Sequence, residues 1–271
     1  MSFSIAGKTA VVTGAANGVG LAIARHFVGV GANVMFADMD EERLAEEVGE
    51  ASEDAEATAA FFAGDLREKL TIANLLSATL DRFDRVDILV NASRQMVTGD
   101  PLNADEDSVA TMIEQNLMTS LRVTQVFARR MIRQSEEEDL EGDGLAGAII
   151  NISSISARRA QPNYMAYSVS SAALDQMTRS MAVALAPHRI RVNAIALGSV
   201  MTTSLKEAIR ENESLRSELL QRTPLGRIAS PSEVTEVAQL LASESSAFMT
   251  GQIVTIDGGR TLVDAAAAPA H

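Results

Sequence analysis

Between residues 13 and 20 the sequence reads TGAANGVG, and its residue types and spacing suit the binding of an anion. Gly14 can turn tightly, Gly18 lets a phosphate approach the backbone, and Gly20 permits a helix to pack closely behind it. An apolar run, TAVV at 9–12, precedes these glycines, and a stretch of helical spacing follows them. A helix that begins there offers unbonded amides around Asn17, Gly18 and Val19 to the anion. Glycine clusters also serve as plain turns, so it is the order strand, glycines, helix that marks a phosphate loop. The second apolar run ends at Asp38. A carboxylate there can accept hydrogen bonds from the hydroxyls of an adenosine ribose and repels a phosphate on that ribose, which favours NAD over NADP. Asn17 and Met39 add no cation, whereas Arg43, about one turn into the next helix, does. Capping that helix is the alternative role for Asp38.

These groups need a scaffold, and the chain outlines one. Apolar runs at 9–12, 33–37, 57–63, 86–91, 147–153, 190–196 and 252–257 are predicted strands. They are apolar throughout instead of alternating, as a sheet covered on both faces requires. Amphipathic stretches lie between them, so the expected fold is α/β: a doubly wound parallel β-sheet, the Rossmann arrangement, with right-handed crossovers and helices on both faces. No repeat or linker divides the chain, so residues 1–271 are expected to form a single domain, with a loose tail at 264–271. The run SEEEDLEGDG at 135–144 is expected to be a solvated acidic loop before the fifth strand.

Composition narrows the function. The net charge of -13, with no basic patch to offset it, argues against a nucleic-acid partner. No segment has the length and apolarity to span a bilayer, and the start lacks the pattern of a secretory leader, so a cytoplasmic location is expected. The absence of cysteine excludes disulfides, thiolate nucleophiles and sulfur-ligated metals. His26, His188 and His271 lie far apart and outside any ligand-spaced cluster, so no metal site is expected.

The glycine pattern TGxxxGxG, met by Thr13, Gly14, Gly18 and Gly20, resembles that of the short-chain dehydrogenase/reductase family. GDL at 64–66 resembles the family's adenine-flanking turn, and TPLGRIASPSEV (223–234) and TGQIVTIDGG (250–259) resemble its C-terminal signature, so the likeness runs from about Gly7 to Gly259. It implies a reaction in which a tyrosine passes a proton to or from a substrate oxygen while hydride moves between carbon and nicotinamide. By position, Tyr167 is that tyrosine, Ser154 the serine that holds the oxygen, and Asn116, in EQNLMTS, the supporting asparagine. Tyr167 is preferred to Tyr164 because it opens YSVSSAAL and keeps the family's interval from Ser154. Asp65, Leu66, Asn91, Ala92, Ser93, Gly198 and Val200 are implied cofactor contacts. Tyr164 is expected to be a pocket wall.

One role is not filled. The family places a lysine one helical turn after the tyrosine, where this chain has Ser171. A free tyrosine is ionised to roughly one part in a thousand at pH 7, and an ammonium about 4 Å away at an effective dielectric of ~20 favours the phenolate by ~4 kcal/mol. Ser171 supplies no such charge. Nearby, where the family usually reads NNAG, this chain reads NASR at 91–94, so Arg94 is the expected compensating cation. Leu197 stands where a proline is usual. The substrate lip is expected to include Met96, Met165, Met201 and Leu205 beside Arg158 and Arg159, which suits a small-molecule secondary alcohol or ketone. By the same resemblance, the helices around Asn116 and residues 170–187 would pair between subunits of a homotetramer or homodimer.

Overall fold

The computed structural model describes residues 3–49, 57–103, 108–138 and 144–263. Its centre is one seven-stranded sheet: β1 (Thr9–Thr13), β2 (Asn33–Asp38), β3 (Ala59–Ala63), β4 (Ile88–Asn91), β5 (Gly147–Ser154), β6 (Ile190–Leu197) and β7 (Ile253–Ile256). Every pairing is parallel, in the order β3-β2-β1-β4-β5-β6-β7. The seven runs expected from the sequence are these seven strands, with ends shifted by one or two residues. The expected doubly wound α/β arrangement is therefore found.

The unalternating runs have a direct cause. Successive residues of a strand face opposite sides, and here both sides are dry. Val12 of β1 belongs to a core with Ile23 and Phe27 of α1 (Gly18–Gly29). Its neighbour Val11 belongs to the opposite core, with Leu75 of α3 (Lys69–Phe83) and Phe127 and Met131. α2 (Glu41–Val48) closes the edge beside β2 and β3. α4 (Ser108–Met112), a widened turn at Ile113–Met118 and α5 (Thr119–Glu137) continue one another. α6 (Met165–Leu185) lies beside α4 and the widened turn, α7 (Thr203–Glu211) and α8 (Glu213–Gln221) follow β6, and α9 (Pro231–Ala242) packs on α1. Phe27 and Phe127 are fully buried, each stabilising its core by roughly 1.5–3 kcal/mol. Among the described residues no helix is long and apolar enough to cross a membrane.

One expectation changes. Ser135, Glu136 and Glu137 are not loop but the last turn of α5, where Gln134 and Ser135 are buried and glutamate is a good helix former. Gly144 follows outside any helix, and residues 139–143 of the acidic run lie outside the described residues, as does the tail 264–271. His26 is half-buried on α1, its Nε2 2.7 Å from Gln239 Oε1 of α9. His188 lies exposed in a short turn.

The stretch 223–234 is held by an ion pair. Arg227 donates to Glu233 at 2.6 Å through both terminal nitrogens, and Ser230 N donates to the same carboxylate at 2.9 Å. The Arg227 hydrogen bond, helped by Ser230, lowers the Glu233 carboxyl from its ordinary 4.5 to about 2. A carboxylate depressed in the folded state stabilises it above the unfolded value and loses that effect as pH falls through the folded one. Glu233→Gln should therefore flatten the part of the acid-unfolding curve between about 4.5 and about 2, read by circular dichroism, and leave stability at pH 7 independent of further acidification above that window.

Candidate active site

In a parallel sheet whose strand order runs outward in both directions from its first pair, the crevice lies beyond the carboxyl ends of those strands. Here β1 and β4 are that pair, and a cavity of about 400 Å³ opens there. Its floor is the glycine loop between β1 and α1. Gly14 and Gly18 have φ of 68° and 59°, a backbone region that side chains rarely enter. A Cβ at Gly14 would come within 2.7 Å of the Ala92 carbonyl, so this glycine also permits close approach to the end of β4. A Cβ at Gly20 would lie 2.1 Å from the Gly14 carbonyl oxygen. Gly20 thus seats the helix on its own loop, more than on the sheet.

Thr13 completes this floor, a role its place in the glycine pattern did not disclose. Its Oγ1 donates to Val90 O and accepts from Ala92 N at 3.1 Å and Ser93 N at 3.2 Å, tying the loop to the next strand. Asn17 caps α1 without a side-chain bond, so the first amides of the helix keep their donors for an anion. Gly18, Val19 and Gly20 border the cavity at that point. A cradle without Cβ atoms at Gly14, Gly18 and Gly20 and with unbonded amides fits a dinucleotide pyrophosphate.

At the adenosine end, Asp38 borders the cavity. Its Oδ2 accepts from Ala16 N at 3.1 Å, and its Oδ1 accepts from Met39 N at 2.8 Å. The residue caps nothing in α2, because Asp40 has that role through Arg43 N. Asp65 and Leu66 line the opposite wall with Arg67. The Arg67 hydrogen bond holds the Asp65 carboxyl below the ordinary carboxylate range. Ala92, Ser93 and Arg94 continue the wall from β4, and Thr202 and Ser204 close it from the segment after β6. Thr202 and Ser204 escaped sequence reading, although their place beyond the carboxyl end of β6 was the available signal.

Four expected cofactor contacts do not border the cavity. Asn91 lies beneath it, its Nδ2 donating to Thr124 Oγ1 at 3.0 Å and Asn151 Oδ1 at 2.9 Å. Gly198 adjoins β7, where a Cβ would meet Asp257 at 2.9 Å. Val200 is buried and bridged to Ala229. Tyr167 is only 4% exposed.

Around Tyr167 the fold gathers the other expected residues. Ser171, one turn later on α6, is also 4% exposed, and its hydroxyl makes no hydrogen bond among the described residues. Asn116, in the widened turn before α5, donates to Gln95 O at 2.9 Å and to Ser170 Oγ at 3.2 Å, while its Oδ1 accepts from Gln95 N at 2.8 Å. It therefore clamps the segment that follows Arg94 onto α6. Ser154, the last residue of β5, accepts from Ser156 N at 3.1 Å. Arg94 turns inward: its guanidinium carbon lies 5.5 Å from the centre of the Tyr167 ring, and Nη1 donates to Ser153 O at 2.9 Å. Behind these sits Asp175, which sequence reading missed. It is buried, accepts from Ser153 Oγ at 2.6 Å, and has its pKa raised by burial, partly opposed by that bond and by Arg158 and Arg179.

The two glycines should respond differently to alanine. Gly18→Ala meets only the Thr202 methyl at 3.9 Å, an ordinary contact, and pays the left-handed conformation, ~1–2 kcal/mol. Gly20→Ala must displace the Gly14 carbonyl, so it should cost more in thermal unfolding and weaken dinucleotide binding at least tenfold beyond Gly18→Ala. Equal effects of the two would contradict the seat described above.

Residues 14–261 match the family model described as Enoyl-(Acyl carrier protein) reductase. Oxidoreductase UcpA of Salmonella typhimurium is 34% identical over 266 residues, covering 95% of this chain and 96% of its own. A solved 7α-hydroxysteroid dehydrogenase complexed with NADH and 7-oxo glycochenodeoxycholic acid is 28% identical, with a TM-score of 0.84 and 95% of each chain covered. A gluconate 5-dehydrogenase from Burkholderia cenocepacia, in complex with NADP and tartrate, is 28% identical, with a TM-score of 0.85 over 97% of this chain and 98% of its own. The parallel sheet, the glycine cradle at its switch point and these likenesses together assign the chain to the short-chain dehydrogenase/reductase family of oxidoreductases.

Proposed function

We propose that the protein interconverts a secondary alcohol and a ketone with NAD(H), using Tyr167 for the proton, Ser154 for the substrate oxygen and Arg94 for the positive charge that Ser171 lacks. The observation that carries this reading is the direction of Arg94, whose guanidinium faces the Tyr167 ring while one nitrogen is anchored on Ser153. A guanidinium is permanently charged and keeps further donors once one is used. Those donors lie beside Ala92 and Ser93, on the wall where the resemblance puts the nicotinamide ribose.

NAD, when bound, supplies the acceptor or donor of hydride; the chain's own residues do the rest. Gly18, Val19 and Gly20 bind the pyrophosphate with amides, and Asp38 accepts from the ribose hydroxyls. Both NADH and NADP occur in the structural neighbours, so the choice rests on Asp38, which repels a ribose phosphate and already holds two backbone amides in place. Ser154 donates to the substrate oxygen, Tyr167 gives or takes the proton there, and Asn116 fixes the segment bearing Arg94. Assembly as a homotetramer or homodimer through the helices bearing Asn116 and Tyr167 belongs to the same reading.

The uncharged Ser171 favours a second reading, an NAD(H)-binding subunit without turnover. NADH consumption against a panel of ketones separates the two: turnover that disappears in Tyr167→Phe supports the enzyme, and none with any carbonyl supports the silent subunit. In the first case Arg94→Ala should lower kcat/KM by about tenfold to a hundredfold, with Arg94→Lys intermediate, the range expected for one nearby charge at partial exposure. Unchanged turnover and cofactor affinity in Arg94→Ala would remove Arg94 from the mechanism. Asp38→Asn should reduce the preference for NAD over NADP by about tenfold or more, measured as the ratio of the two dissociation constants.

A further inference from the structure

The rim of the site opposite the cavity carries arginines that form no salt bridge among the described residues. Elsewhere among the described residues seven arginines are ion-paired, as an acidic chain allows. Arg158, Arg159, Arg222 and Arg260 are in none of these pairs. They come from three separate segments that meet: the loop after Ser154, the end of α8, and the turn after β7. Arg159 donates to Thr261 O, and Arg260 Nη1 donates to Ser199 Oγ at 3.1 Å. Ser199 lies at the carboxyl end of β6, directly after Gly198.

Arg260 is the informative member. It is half-buried, and burial lowers its pKa, with repulsion from Arg222 adding to that and Asp257 and Tyr164 opposing it. The nearest acid is already engaged, for Asp257 accepts from Gly259 N at 2.9 Å and Thr261 N at 2.7 Å. A partly desolvated guanidinium with a neutral hydroxyl as partner and a second cation beside it is electrostatically unfinished. Its partner Ser199 stands two residues after Leu197, which pairs with Ser154 across β5 and β6, so the unmet charge lies at the strand ends that carry the proposed oxygen-binding serine. A carboxylate there would accept the guanidinium donors left over once Nη1 is spent on Ser199, donors that no group among the described residues takes.

We propose that the substrate is a hydroxy or oxo acid whose carboxylate is held by Arg260, with Arg159 at the rim. The inference rests on the reading of Tyr167 as the proton-transfer group, and the test keeps the two apart. Acetoacetate, levulinate and 5-oxohexanoate are compared with their methyl esters, by turnover with NADH and by calorimetric binding with and without NADH. The best acid should bind at least tenfold more tightly than its ester. Arg260→Gln should remove that difference while leaving the ester unchanged, and Arg260→Lys should retain part of it. Equal binding of acid and ester throughout, or an equal loss for both in Arg260→Gln, would overturn the carboxylate site. Tyr167→Phe should abolish turnover and keep the acid-over-ester ratio in binding. Turnover that survives in that variant would refute the catalytic reading, while the binding ratio would still decide on Arg260.

Discussion

The site depends on one steric constraint, the contact of residue 20 with the carbonyl of residue 14. No side chain fits between them, because even a methyl carbon would lie 2.1 Å from the Gly14 oxygen. The closeness of that contact sets where α1 begins and therefore where its free amides stand. It also brings the loop against Ala92 and Ser93, which Thr13 then pins by hydrogen bonds. The phosphate cradle and the wall leading to Arg94 are thus consequences of one close packing, with glycine needed because backbone must touch backbone.

Beneath the other end of the site the support is polar. Asn91, Thr124, Asn151 and Thr178 form a buried chain of hydrogen bonds that joins β4, β5, α5 and α6. Thr178 closes the chain on Leu174 O at 2.9 Å. Inside a low-dielectric core such bonds are strong when made and costly when missing, so they hold the strands and helices in one register. α6 carries Tyr167, β5 carries Ser154, and both are anchored by this network. The widened turn at Asn116 adds a third anchor from the segment that carries Arg94.

The electrostatics run against the average of the molecule. With a net charge of -13, the protein as a whole repels anions. Around Tyr167 and the proposed substrate rim the balance reverses, through exposed Arg94 beside the ring and half-buried Arg260 at the lip. Asp175 feels Arg158 and Arg179, yet burial raises its pKa and reduces its opposition to cations on this side. Local desolvation and local pairing, not net charge, decide what a site of this kind attracts.

The sequence by itself determined the seven strands, the helix after the glycine loop and the glycines that shape that loop, because each follows from a local rule. An apolar run without alternation means a strand dry on both faces, and a glycine at fixed spacing means backbone in close contact. The tertiary structure decided that Arg94 points at Tyr167, that Asp175 lies behind Ser153, that Asn116 clamps Gln95, and that Asn91 supports the cavity from below instead of lining it. These pairs stand tens of residues apart, and what joins them is the strand order and the packing of α6 on the sheet. The acidic run at 135–144 shows the same limit at short range: charge suggested loop, but buried neighbours extended α5 through Glu137. A periodicity reports which face a residue takes, whereas its partner across the core is fixed by how the faces are brought together.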